Sequence, residues 1–230
     1  MKRLLSKISI LLLLMAGLSG CYLKSVHPLI TEETAIFVET LDGIYETDEF
    51  RWTFASNNDP EILAQMIKTY DDADSNVDAD TTGTEILDFT GYLIMRESLD
   101  DQDKKPDLFI GLAGYIGSEL FINIQLFDLS ETENTFVNSH IFNVNTFSRL
   151  TLNAGEVSLE PFASSWIRDQ VLNNRVRIKH EVVKGMTEDG SEVLITASTK
   201  ELREFVEKYQ DEEDIYEDPI TLKRVPNDVQ

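Results

Sequence analysis

One cysteine in 230 residues rules out a disulfide framework and any cysteine-built zinc cluster. Basic residues are also scarce, with 20 Lys and Arg against 42 Asp and Glu and a formal net charge of −22. Phosphate binding needs a concentrated basic surface, so a nucleic-acid partner is excluded. No apolar run approaches the ~20 residues that a spanning helix needs. The nucleophile motifs Gly-x-Ser-x-Gly and Ser-x-x-Lys are missing, as are a phosphate-binding glycine loop and a dinucleotide fingerprint. What is present is an ordinary globular composition, 42% apolar and 9% aromatic, in a chain long enough for one sizeable core.

The N-terminus sets the expected address. Lys2, Arg3 and Lys7 form a positive stretch, Ile8 to Met15 a short apolar one, and Leu18-Ser19-Gly20-Cys21 follows. This arrangement resembles the signal peptide and lipobox of bacterial lipoprotein precursors. The resemblance implies removal of residues 1–20 and attachment of diacylglycerol to the Cys21 thiol. Two or three acyl chains anchor where one cannot, at about 0.8 kcal/mol per buried CH₂. Tyr22 stands where an Asp would signal inner-membrane retention, so the outer membrane is the expected destination in a host that has one. Cleavage removes three positive charges and no acid, taking −22 to −25. So acidic a domain is repelled by anionic headgroups, which leaves the anchoring to the lipid.

Residues 21–33 read as an acylated polar tether and 34–230 as a single domain with an acidic tail. Period-2 alternation dominates that domain. Phe50, Trp52 and Phe54 share one face, as do Leu120, Ile122, Ile124 and Leu126, and again Val176, Ile178, His180 and Val182. Shorter strands are expected at 35–38, 43–47, 89–96, 107–113, 135–142, 144–152, 156–159 and 192–197. Helical spacing appears at Ile62 to Tyr70 behind Asp59-Pro60, at Phe162 to Val171, and at Leu202 to Tyr209 behind the capping box Ser198-x-x-Glu201. The predicted class is mainly β (α+β). An antiparallel meander curls into a small lipocalin-like barrel or half-barrel, with about three amphipathic helices packed on it.

Four stretches, His27-Pro28-Leu29, Leu41-Asp42-Gly43-Ile44-Tyr45, Ile178-Lys179-His180-Glu181 and the run Leu194 to Leu202, make the mature chain similar to a family of uncharacterised bacterial lipoproteins. Tyr45 stands where that family carries Trp, and Asn145 where a His is expected. Gly43-x-Tyr45 at the start of a meander also resembles the opening of lipocalins, whose barrels enclose apolar ligands. The first resemblance implies class and address, the second a fold, and neither an activity.

Chemistry-bearing clusters are few. A three-histidine metal site needs His27, His140 and His180 to converge, and His27 lies in the tether segment. His180 is expected to be a core histidine bonded to backbone. His180-Glu181-Val182-Val183-Lys184 lacks the second His of a zincin and reads as strand. Asp74-x-Asn76-x-Asp78-x-Asp80-x-Thr82 with Glu85 has calcium-loop spacing. However, Ala79 replaces the turn glycine and a strand follows, so a solvated acidic loop is expected. Tyr45, Phe50, Trp52 and Phe54 either line a pocket or fill the core, and alternation favours the core.

No catalytic residue, metal or cofactor is assigned. The expected function is a lipid-anchored envelope module that binds or assembles without catalysis, with the membrane and an envelope protein as partners. The alternatives are a lipocalin-like carrier of a small apolar ligand and a carboxylate-based hydrolase.

Overall fold

The computed structural model describes residues 22–73, 90–101, 104–127, 142–184 and 191–226. Its strands are β1 (Lys24–Ser25), β2 (Gly43–Glu46), β3 (Phe50–Ser56), β4 (Tyr92–Ser98), β5 (Asp107–Ile116), β6 (Glu119–Leu126), β7 (Asn145–Asn153), β8 (Glu156–Pro161), β9 (His180–Lys184), β10 (Ser191–Ile195) and β11 (Ile220–Arg224). Three helices accompany them, α1 (Pro60–Ala73), α2 (Ser164–Leu172) and α3 (Thr199–Tyr209). From β2 to β8 each strand pairs antiparallel with the next. β11 then pairs with both β8 and β2, so eight strands close into a barrel. Closure removes the unpaired edges that an open meander would expose. A three-stranded branch, β1-β10-β9, leaves the barrel at Asn145, the first residue of β7.

Alternation sorts side chains between the lumen and the outside. Phe54, Tyr92, Ile94, Ala113, Ile122 and Leu222 are fully buried in one cluster, joined there by Tyr45, Leu150, Val157 and Leu159. Burying each large apolar side chain contributes roughly 1.5–3 kcal/mol, so the lumen is a packed core. Two outer patches are covered by helices. Leu63 and Met66 of α1 lie on Ala55, Leu93, Met95 and Leu108. Phe121 and Phe147, facing outward from β6 and β7, are covered by Ile167 of α2, Leu202 and Val206 of α3, and the N-terminal residues Leu23, Leu29 and Ile30.

The helix starts follow from their caps. Asp59 Oδ1 accepts the Ile62 N–H at 3.1 Å. Ser198 and Glu201 form the full reciprocal capping box at the start of α3. Gly117, at φ +57°, makes the tight β5–β6 turn that L side chains resist.

Four expectations need correction. Residues 22–33 do not hang free as a tether. Leu23, Leu29 and Ile30 are at most 1% exposed, and Lys24–Ser25 is a strand between β7 and β10. Three apolar side chains in so polar a stretch had a core to fill. Residues 35–38 form no strand and lead into a 3₁₀ turn at Glu39–Leu41 that crosses one barrel end. The strand expected from Val176 starts at His180, and residues 176–179 lie outside the ladder. The acidic tail is not all solvated surface, since Ile215 is buried and Tyr216 meets Phe162 edge-on at 5.0 Å. It leads into β11, which was not anticipated. The calcium-like loop and the strand expected at 135–142, Phe142 apart, lie outside the described residues.

Candidate functional site

The two barrel ends differ. At one, the 3₁₀ turn Glu39–Leu41 caps the lumen, with Leu41 fully buried. Arg224 Nη2 donates to the carbonyl oxygens of Thr40 and Asp42 and to the Tyr45 hydroxyl, and its guanidinium lies 5.2 Å over the Tyr45 ring. The Tyr45 hydroxyl in turn lies 2.9 Å from the Thr40 oxygen and 3.2 Å from that of Leu41. Tyr92 Oη accepts the Val38 N–H at 2.6 Å and donates to the Val38 oxygen at 3.0 Å. Burial raises the pKa of both tyrosines, so both stay neutral donors. The arrangement accounts for Gly43 in Gly43-x-Tyr45. Its φ is +145°, and a Cβ there would sit 2.7 Å from Arg224 Nη2.

A groove of about 880 Å³ outside this closed end contains Asp42 and Asp59. Burial raises the Asp42 pKa, its hydrogen bonds from Ser56 oppose the shift, and the Asp59 charge adds to it. Both groups hold backbone. Asp42 accepts the Ser56 N–H at 2.7 Å and its hydroxyl at 2.8 Å, and Asp59 caps α1.

Among the described residues no segment crosses the opposite end. A cup of about 890 Å³ is lined by Tyr22, Phe50, Trp52, Arg96, Ile220 and Lys223, among others. Arg96 forms one wall. Its guanidinium lies 4.6 Å over Phe50 and 5.7 Å from the Trp52 ring, held by two hydrogen bonds to Asp107 Oδ2 at 3.0 and 2.6 Å. Such stacking presents a flat, largely apolar surface with its charge already paired. Trp52 is 9% exposed, and its indole Nε1 is buried without a hydrogen-bond partner among the described residues.

The aromatic quartet packs in the core as alternation favours, with Tyr45, Trp52 and Phe54 buried in one cluster and Phe50 packed against it. Phe50 and Trp52 also line the cup, and Tyr45 the groove at the closed end. Arg96, Ile220 and Lys223 are cup residues that sequence reasoning missed, although Ile220 and Leu222 alternate with Thr221 and Lys223. Cys21 and His140 lie outside the described residues. His27 is exposed, and His180 is half-buried with Nδ1 2.7 Å from the Ile178 oxygen, a backbone partner of the expected kind. Among the described residues no group of three His, Cys, Asp or Glu side chains is placed to hold a metal ion. Nor is any helix there long and apolar enough to cross a membrane.

Fold and site together define a closed eight-stranded antiparallel barrel, packed through its middle, plugged at one end and cupped at the other. No protein-family model, curated protein or solved structure matches this chain.

Proposed function

We propose that this chain is a lipid-anchored, non-catalytic binding module of a bacterial envelope, in which the open barrel end receives the ligand. The observation that carries the reading is the cup itself. Phe54, Tyr92, Ile94 and Ile122 bury their side chains in mid-lumen, while Phe50, Trp52 and Ile220 give the hollow at its mouth an apolar wall beside charged residues. A lipocalin-like carrier role is compatible with this barrel if the ligand sits at the mouth. Anchoring through Cys21, with the outer membrane as destination, rests on the lipobox spacing and on Tyr22 following the cysteine.

Membrane fractionation and intact-mass measurement of the full chain test the anchor. The wild type should sediment with membranes and carry acyl mass, and Cys21→Ser should leave it soluble or unprocessed. An unchanged distribution of that variant refutes the anchor. For the cup, N-phenyl-1-naphthylamine should gain emission on the wild-type protein and less on Ile220→Asp. Equal emission from both would move the ligand site elsewhere, and turnover abolished by one point mutation would refute the non-catalytic role.

A further inference from the structure

The mouth of the barrel and the entry point of the chain are one place. Tyr22 lines the cup, is 45% exposed, and follows Cys21 directly. Consecutive Cα atoms are about 3.8 Å apart, so a lipid on the Cys21 thiol meets the fold at the cup's rim.

A flexible tether would let the domain turn in any direction, but the described residues from Tyr22 to Ile30 are bonded into the fold. The Leu23 N–H donates to the Phe162 oxygen at 3.1 Å and the Val26 N–H to the Ile195 oxygen at 2.9 Å. Asn123 accepts the Leu29 N–H and donates to Asn145 Oδ1, both at 2.9 Å, and Asn145 donates to the Val26 oxygen at 3.3 Å. Thr199 Oγ1 donates to the Pro28 oxygen at 2.8 Å. The domain is clamped at its anchor point.

Charge separates the two ends in the same sense. Leaving aside Arg224, which lines both, the cup has Glu46, Asp48 and Glu49 against Arg96 and Lys223. The groove at the closed end has Glu39, Asp42, Asp59 and Glu156 with no further cation among its described lining. In a chain of net charge −22, the cup is the end that meets the weaker repulsion from an anionic leaflet. Its apolar lining of Tyr22, Phe50, Trp52 and Ile220 has the aromatic character favoured at a membrane interface.

Resting on the acylation of Cys21, we infer that the open end of the barrel faces the bilayer and that the cup is a contact site for membrane lipid acyl chains. The closed end and its acidic groove then point away from the membrane.

The two tryptophans allow a direct test, because Trp52 lines the cup while Trp166 packs against Phe205 and Tyr209 in the outer cluster. The full acylated protein is reconstituted into phosphatidylethanolamine vesicles containing phosphatidylcholine brominated on its acyl chains. In Trp166→Phe, which keeps Trp52, fluorescence should be lost relative to unbrominated vesicles. The wild type should lose only the Trp52 share. As a second measurement, Thr221→Cys in the cup and Ala154→Cys at the closed end carry an environment-sensitive nitrobenzoxadiazole label, the native thiol being occupied by lipid. The Thr221 label should shift to the blue on vesicles and the Ala154 label should not.

Unquenched Trp52, or labels that report water equally, in a chain shown to be acylated and vesicle-bound, overturns the orientation and leaves the anchor standing. A shift confined to Ala154 overturns it as well. An unmodified Cys21 on a protein that stays off the vesicles overturns the anchor, and the orientation with it.

Discussion

At each end of this barrel an arginine lies over an aromatic ring, Arg224 over Tyr45 and Arg96 over Phe50, with opposite results. Arg224 finds the carbonyl oxygens of a 3₁₀ turn crossing the lumen and ties that turn down. Among the described residues Arg96 bonds Asp107 on the neighbouring strand, so it lines a wall. The comparison teaches that a guanidinium seals a barrel when a chain segment crosses the opening for it to bond. Where none crosses, the same cation and ring form a cup.

The largest expected contrast lies within one strand. Phe54→Ala in the packed lumen should cost about 3–5 kcal/mol, whereas Phe50→Ala at the half-exposed mouth should cost under about 1 kcal/mol. Urea unfolding measures both, and equal losses would show that the mouth is as tightly packed as the middle.

Next comes the clamp that holds the N-terminal segment beside the cup. Asn123→Ala strands the buried Leu29 N–H and removes the donor to Asn145, so a loss of about 2–3 kcal/mol is expected. Amide exchange at Val26–Leu29 should accelerate while the lumen strands stay protected. Uniform acceleration would make the clamp part of the global fold.

A smaller effect separates the two arginines. Gly43→Ala forces a strained φ and pushes on the Arg224 guanidinium, at about 1–3 kcal/mol. Arg224→Met should cost about 1–2 kcal/mol by releasing carbonyls and the Tyr45 hydroxyl. Arg96→Met removes a part-exposed ion pair and should cost at most about 1 kcal/mol. A reversed order of the two Met variants would contradict the assignment of plug and wall.

The smallest effect is a pH dependence at the closed end. The pKa of Asp42 is raised above its ordinary 3.8, chiefly by burial, so the folded state holds its proton more tightly than the unfolded state. Stability from this group should therefore fall as pH rises from about 3.8 through the raised folded value. Asp42→Asn can keep both contacts with Ser56 and should flatten that slope. A slope unchanged in urea midpoints across pH 3–7 would assign it to another carboxylate.

Much of the architecture was legible because it is local. Asp59-Pro60 and Ser198-x-x-Glu201 announced α1 and α3 through side chains that bond the first free N–H groups. Period-2 alternation announced β3 and β6. By contrast, β1 and the clamp were hidden, because a two-residue strand exists only through partners more than a hundred positions away, at Asn145 and Leu194. Asn145, read as a departure from a family pattern, holds the N-terminal segment at Val26. The cup was hidden for a related reason. Phe50, Trp52 and Phe54 share one face in sequence, and depth along the barrel depends on register against β4.

The sequence by itself determined the strand and helix periodicities, the caps and the acidity. These follow from neighbours within a few residues, where chain connectivity does the positioning. Only the tertiary structure decided that the meander closes, that one end is capped by the turn Arg224 holds while no described segment crosses the other, and that Tyr22 lies at that second rim. Each depends on groups brought together across the chain, β2 with β11 and Leu29 with Asn123. Such contacts form only when the buried apolar area offsets the entropy of closing long loops.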